Sequence, residues 1–370
     1  MEPPVTDHRP VSACCGNGFR VSGVRLATVV AAAALLLVSC GGEAATVVSH
    51  RLHGPTMGTH FNVTLVAAEG ALPATRLAEL EALVVAELES VNGKMSTYLV
   101  DSEISRFNRA ESTEPFPVSS ATAEVVAESL AIAELSNGAF DITLGPLINA
   151  YGFGPDEPAT PPSEGELAAL LEAIGYRHLE VDLGQQTVRK ALPGLECDPS
   201  GIAKGFAVDR VAEALAQAGV ESFLVEVGGE VRARGRNAAG QVWRLGIERP
   251  EAVRGTVQRI VPLADRALAT SGDYRNYREI DGVRFSHLLD PRTGRPIRHR
   301  LASVSVVHES CARADGLATA LMVLGEDEAL RMAESHDLAI LLLVRNDDGG
   351  FREVRSAAFD RLIDSRSTGA

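Results

Sequence analysis

Cysteine is scarce in this chain, with 5 among 370 residues, and Cys14, Cys15 and Cys40 all fall in the first 40. A disulfide-stapled scaffold is excluded on that count, and no cysteine–histidine cluster has the spacing of a zinc site. Positive charge is also in deficit: 35 Lys and Arg stand against 49 Asp and Glu, for a formal net charge of −14. A general nucleic-acid binder needs a basic face toward the phosphates, so that class is excluded as well. Beyond Cys40 no apolar run approaches the roughly 20 residues of a membrane-spanning helix. No segment repeats at a fixed period, no Gly-x-x-x-x-Gly-Lys-Ser/Thr loop is present, and no Gly-x-Gly-x-x-Gly follows a strand.

What is there begins with a basic-flanked apolar run. Arg20 and Arg25 precede the stretch Leu26 to Val38, which ends in Ser39-Cys40-Gly41-Gly42. A basic flank, a short apolar core and a small-residue cleavage region make residues 1–39 a secretory signal. Leu37-Val38-Ser39-Cys40 resembles a bacterial lipobox, with Cys40 as the lipidated first residue; an ordinary signal with an incidental cysteine is the alternative. Residues 40–46 then form a short tether, 47–359 one domain, and 360–370 a frayed tail. The expected location is outside the cytoplasm, lipid-anchored to the membrane and facing the periplasm or cell exterior. Gly41 in place of an aspartate favours the outer membrane in a two-membrane organism.

Within the domain, residues 47–67 read as strands broken at Gly54-Pro55. Leu77, Leu80, Val84 and Leu88 make 75–91 an amphipathic helix. Ser119 caps a helix that ends at Asn137-Gly138. Residues 155–162 read as an exposed loop, 164–174 as a helix and 181–189 as a hairpin around Gly184. Phe223–Arg234 and Val242–Glu248 alternate as two strands. A strand over 302–307, helices over 312–324 and 326–335, and the apolar strand Leu338–Val344 follow. Strands succeed one another without steady β-α-β alternation, so the fold class is α+β, mixed helix and sheet.

Two segments carry the chemistry. In Cys311-Ala-Arg-Ala-Asp315-Gly-Leu-Ala-Thr319, Asp315 and Thr319 share a helix face at i and i+4. Oxygen-only ligation of that kind suits Mg²⁺; taken alone, such a pair is more often a helix-dipole partner and a hydroxyl bonded to its own backbone. In Cys197-Asp198-Pro-Ser-Gly201-Ile-Ala-Lys204-Gly205, a lysine in a first helical turn opposes the dipole unless it faces something negative, such as a phosphate; a solvated lysine on an ordinary helix is the alternative. Arg292, Arg295, Arg298 and Arg300 cluster beside His287, as a phosphate pocket or as a solvated turn. Whether Cys197 and Cys311 are neighbours in space, or bridged, stays open.

These segments, with His53-Gly-Pro-Thr-Met57-Gly-Thr59, Met95-Ser-Thr-Tyr98, Gly138-Ala-Phe-Asp141-Ile-Thr143, Val227-Gly-Gly-Glu230, Ala269-Thr-Ser-Gly272 and His287-Leu-Leu-Asp290-Pro-Arg-Thr-Gly-Arg-Pro296, resemble the ApbE family of FAD:protein FMN transferases. The resemblance implies a T-fold-like architecture with a flavin site between sub-structures. It implies transfer of FMN from FAD, as substrate, to a Thr or Ser hydroxyl of an exported acceptor protein, releasing AMP. Asp315 and Thr319 would ligate Mg²⁺ by side chain and Gly201 by its carbonyl. Met57, Tyr98, Ala139, Phe140, Asp141, Asp198, Lys204 and Leu289 fall on the flavin-nucleotide positions. His287 is the candidate proton acceptor with Asp290 beside it, and Asp198 and Asp273 are alternative bases. Two positions depart from the family pattern: Pro199-Ser200 where small residues are usual, and Gly316 where alanine is common. A Mg²⁺-dependent FAD pyrophosphatase and a non-catalytic FAD carrier remain alternatives, the second disfavoured by the Asp315–Thr319 pair.

Overall fold

The structure, a computed structural model, describes residues 46–154, 160–251, 255–273, 277–280 and 283–364. The expected signal, the lipidation position Cys40 and most of the tether and of the 155–162 loop lie outside the described residues.

Strands β1 (Val47–Thr56) and β2 (Thr59–Ala68) form an antiparallel hairpin. The break expected at Gly54-Pro55 falls instead at Met57-Gly58, where φ is 45° and 70°. Pro55 stays within β1 because β1 is an edge strand, where a missing N–H need not cost a ladder bond. Helix α1 (Ala74–Met95) buries Leu80, Val84, Leu88, Val91 and Met95 as one stripe. After α2 (Glu103–Arg109) and β3 (Phe116–Pro117), α3 (Ser120–Leu135) starts at Ser119, whose hydroxyl accepts the Thr122 N–H. It ends as its sequence requires, with Asn137 and Gly138 at φ 51° and 79°. Helices α4 (Gly145–Ala150) and α5 (Glu164–Glu172) follow, and then β4 (Leu179–Asp182) and β5 (Thr187–Lys190), the expected hairpin, with β3 added alongside.

Helix α6 (Ala203–Gln217) leads to β6 (Ser222–Val227) and β7 (Glu230–Arg234). What reads as one strand from Phe223 to Arg234 is a hairpin. Gly228 and Gly229 turn at φ 62° and 111°, so the chain reverses without breaking the apolar alternation. Strands β8 (Trp243–Glu248) and β9 (Val257–Leu263) pair with each other, and β10 (Ala267–Gly272) returns to the main sheet. The short hairpins β11 (Tyr277–Ile280) with β12 (Val283–Ser286) and β13 (Leu289–Asp290) with β14 (Arg295–Pro296) precede β15 (Leu301–His308). The chain closes with α7 (Cys311–Leu324), α8 (Glu326–Ser335), β16 (Ala339–Arg345), β17 (Phe351–Arg355) and α9 (Ala357–Asp364). Phe359 of α9 is fully buried and the helix runs to Asp364, so residues 360–364 are helical rather than frayed.

The main sheet has eight strands in the order β1-β2-β6-β7-β10-β15-β16-β17, every pairing antiparallel. Alternate residues of its central strands serve opposite faces. Val304, Val306, Ile340 and Leu342 pack under α1, α3, α6 and α7, whereas Val307, Leu341 and Leu343 pack under the β8–β9 hairpin and α9. Burial on both faces explains why β15 and β16 read as continuous apolar runs rather than alternating ones. A smaller cluster of Leu147, Tyr151, Leu167, Ile174 and Leu289 lies apart, under α4 and α5. The α+β expectation is met.

Candidate active site

Helices α6 and α7 approach to backbone distance. A Cβ at Gly205 would overlap the Cys311 carbonyl and stand 2.7 Å from Asp315 Cβ, so only glycine permits the crossing. One carboxylate fixes how α7 starts. Asp209 of α6 accepts Cys311 N and Ala312 N at 3.0 Å each and Ser310 Oγ at 2.8 Å, and pairs with Arg232 of β7 at 2.6 Å. Three elements are thereby tied at one residue.

The result is a compact group of charged and oxygen-bearing groups. Asp315 Oδ2 accepts Gly205 N at 2.9 Å and lies 3.5 Å from Lys204 Nζ. Lys204 Nζ also stands 3.2 Å from Glu230 Oε1. Thr319 Oγ1, one turn after Asp315, is 3.5 Å from the Gly201 carbonyl oxygen. Burial alone would depress Lys204, but Asp315 and Glu230 outweigh it and hold the ammonium above the ordinary lysine range. Burial raises both carboxyls, with Lys204 opposing the shift in each. The negative partner expected of a first-turn lysine is thus supplied, in this structure, by two carboxylates.

Glu230 was not legible as a site residue. Its signal was a charged residue directly after Gly-Gly, on the strand face that also carries Arg232 and Arg234, opposite the apolar Val231 and Ala233. Its side chain is buried, and among the described residues its Oε2 has no hydrogen-bond partner.

Of the other expected residues, Phe140 adjoins this group, and the rest are placed by separate contacts. A Cβ on Gly201 would meet the Phe140 ring at 3.1 Å and Thr319 Oγ1 at 3.4 Å, so Phe140 roofs the Gly201 segment. Thr59, which follows the Met57-Gly58 turn, and Lys204 both border Gly228, where an added Cβ would touch Thr59 and Lys204 Cδ. Asp198 N donates to Ile142 O at 2.6 Å, joining the Asp198 and Ala139–Asp141 segments. Asp198 is pushed up by burial and accepts Ser200 N at 2.8 Å. It lines a cavity of about 150 Å³ with Thr97, Asn108, Arg109, Asn149 and Cys197. Asp141 is buried, which raises its carboxyl, while hydrogen bonds from Thr143 and Tyr176 oppose the rise; its Oδ1 serves its own loop and its Oδ2 ties that loop to Tyr176.

Tyr98, 66% exposed, donates its hydroxyl to Phe153 O at 3.1 Å, and the Phe153 ring meets His287 edge-on at 6.4 Å. Tyr98 and His287 therefore meet at Phe153 on one rim, and Phe153 packs against the cluster in which Leu289 is buried. Asp290 Oδ1 accepts Arg292 N and Nε and its Oδ2 accepts Arg292 Nη2, each at 2.9 Å, so this carboxylate anchors its own turn.

The arginine-rich stretch resolves as a solvated turn. Arg292 pairs with Asp290 and Glu328, Arg295 with Glu164 and Arg300 with Asp347, three separate partners sets instead of one shared pocket. Cys197 and Cys311 are buried free thiols, so no bridge links them. Both departures from the family pattern are accommodated. The Pro199 carbonyl accepts Ile202 N and Ala203 N on entry to α6. A Cβ on Gly316 would stand 2.5 Å from Ile132, so a large isoleucine on α3 occupies the space an alanine would need.

The sequence profile of the ApbE family matches residues 57–342. The FAD:protein FMN transferase of Vibrio cholerae is 46% identical over 337 residues, 90% of this chain and 98% of that protein. The one from Haemophilus influenzae is 40% identical, spanning 94% of this chain and 99% of its own length. Among solved structures, the flavin transferase ApbE from Vibrio cholerae superposes with a TM-score of 0.77 at 44% identity, over 85% of this chain and 99% of that one. The apo flavinyl transferase ApbE of Pseudomonas stutzeri gives 0.77 at 41% identity, with 85% and 97% covered. At this coverage and identity, the chain belongs to the ApbE family.

Proposed function

We propose that this protein transfers FMN from FAD to a Thr or Ser hydroxyl of an exported acceptor protein and releases AMP. The acceptor oxygen bonds to the FMN phosphorus, the bond from that phosphorus to the AMP phosphate oxygen breaks, and the hydroxyl proton passes to a base. Catalysis of such a phosphoryl transfer is chiefly positioning and charge neutralisation. The observation that carries the reading is the convergence of Asp315, Thr319, the Gly201 carbonyl and Lys204 where α6 meets α7.

A Mg²⁺ ion fits this place on donor chemistry. The Thr319 hydroxyl and Gly201 carbonyl are neighbours, and the Asp315 carboxylate lies one turn away on the same face. All three are hard oxygens, and among the described residues no cluster of three His, Cys, Asp or Glu side chains invites a softer metal. When bound, the ion would neutralise pyrophosphate charge and favour departure of AMP. Lys204 adds a second positive charge for a phosphate. Of the flavin positions, Tyr98 is exposed and offers its ring and Met57 its side chain, Phe140 and Leu289 are buried and would shape the site from beneath, and Asp198 and Asp141 are its acidic members. His287, on the rim beside Tyr98 and Phe153, is the candidate base; Asp290 holds its turn. Lipidation at Cys40 would keep the enzyme at the membrane, facing exported acceptors.

The test is to incubate the protein with FAD and a candidate acceptor, with and without Mg²⁺, and to weigh the intact acceptor while measuring AMP. A gain of one FMN per acceptor with matching AMP supports the reading. AMP with free FMN and no acceptor gain, across several acceptors, would replace it with a pyrophosphatase.

A further inference from the structure

Lys204 lies between two carboxylates that are almost fully buried, Asp315 (4% exposed) and Glu230 (3%). Its Nζ is 3.2 Å from Glu230 Oε1 and 3.5 Å from Asp315 Oδ2, so a single ammonium is shared and neither contact is tight. Glu230 Oε2 is buried without a partner among the described residues, a costly state for a carboxylate oxygen. Both polar contacts of Asp315 fall on its Oδ2. Glu230 is set rigidly, because it opens β7 and pairs with Val227 across the Gly228-Gly229 turn. Lys204 is a long side chain, 30% exposed, and is the member that can move.

We infer that Lys204 is an exchangeable counter-ion: it neutralises Asp315 while no metal is bound, and shifts wholly to Glu230 when Asp315 takes up a divalent cation. Glu230 is then a positioning residue for the metal site, acting through Lys204. The inference rests on the reading that Asp315 and Thr319 hold Mg²⁺. Its physical basis is charge. With all three side chains ionised the cluster carries one net negative charge, which favours an incoming cation. Without the Glu230 charge the cluster is neutral, the ammonium has no second partner, and it stays on Asp315 as a competitor.

The experiment is calorimetric titration of MgCl₂ into the purified protein without FAD, so that binding is read apart from catalysis. Glu230→Gln is expected to weaken Mg²⁺ binding roughly tenfold or more. Lys204→Met is expected to bind Mg²⁺ at least as tightly as the wild type. The double variant is expected to recover most of the loss seen in Glu230→Gln, which a packing defect at position 230 could not do. If Glu230→Gln does not fold, Glu230→Asp, which draws the carboxylate back from Lys204, replaces it and is expected to weaken binding to a smaller degree. Binding in the Glu230 variant equal to wild type, or a double variant as weak as that single one, overturns the exchange. Asp315→Ala separates the two readings. Wild-type binding that Asp315→Ala abolishes, but that the Glu230 variant leaves unchanged, sinks the exchange alone. Wild-type binding absent or insensitive to Asp315→Ala sinks the metal site and the exchange together.

Discussion

Replacing Asp209 by alanine removes the point at which α6, α7 and β7 are joined. The carboxylate accepts two N–H groups at the start of α7 and the Ser310 hydroxyl, and it faces Arg232 at 2.6 Å. Stripping one partner from a fully buried ion pair costs about 3–5 kcal/mol, and losing a helix cap about 1 kcal/mol. Arg232 is 29% exposed, so water recovers part of its lost partner and lowers the first figure. The expected loss is about 3 kcal/mol in all, below the roughly 4–6 kcal/mol to which those figures sum, because of that exposure. Asp209→Asn keeps an oxygen for the N–H groups and gives up the charge, for which about half that loss is expected. Urea denaturation followed by circular dichroism gives both values, with the midpoint falling and the slope unchanged. A loss below about 1 kcal/mol for Asp209→Ala would refute the reasoning, because it would mean that the start of α7 is held by something else.

Further expectations follow from single contacts. Gly205→Ala should cost more than about 3 kcal/mol, since the Cβ meets backbone at Cys311 rather than a yielding side chain; a denaturation midpoint near wild type would contradict this. Lys190, fully buried, donates to the carbonyls of Phe107, Asn108 and Leu195 at 3.0–3.2 Å, so Lys190→Met should cost about 2–4 kcal/mol in the same assay. His308 is pushed down by burial and then by Arg313, while its Nδ1 accepts Ser310 N at 3.0 Å. The unfolded chain therefore takes the proton first: stability is present above the unfolded value near 6.5 and falls as the pH drops below it. His308→Gln should flatten the stability profile between about pH 6.5 and 5, and an unchanged profile would refute the assignment. Burial pushes the thiols of Cys197 and Cys311 up, so both should resist a thiol reagent in the native protein and label on unfolding, as peptide mapping would show.

Helices announced themselves in the sequence through an apolar stripe, as over 75–91, or through caps, as from Ser119 to Gly138, although the short α2 went unread despite its Ser102 cap. The stretch 75–91 and the Ser119-to-Gly138 segment are cases where local chemistry and tertiary packing agree. The misread points are turns. Met57-Gly58 and Gly228-Gly229 reverse the chain inside unbroken apolar patterns, and Pro55 misled because an edge strand tolerates it. Strands β9, β10 and β17 carried no separate signal, although β9 and β17 pair with their immediate predecessors β8 and β16; only β10 takes its partners, β7 and β15, from farther along the chain. In the site, the i, i+4 spacing of Asp315 and Thr319 was enough to place both on one face. The nearness of Gly201 to them was not readable without the α6–α7 crossing that Gly205 permits. Glu230 escaped for the same reason: its partner Lys204 lies 26 residues earlier, and only the β6–β7 turn brings them together. The arginine cluster shows the reverse error, in which neighbours in sequence are drawn apart by separate carboxylates.

The most direct test of the central claim is the mass of an acceptor protein after incubation with FAD and Mg²⁺, for the wild type and Asp315→Ala side by side. The account predicts that the wild type adds one FMN to the acceptor with release of AMP, that omission of Mg²⁺ stops it, and that Asp315→Ala leaves the acceptor unmodified while remaining folded. An Asp315→Ala protein that still modifies the acceptor at the wild-type rate would contradict the account, because the chemistry would then lie elsewhere than the α6–α7 crossing.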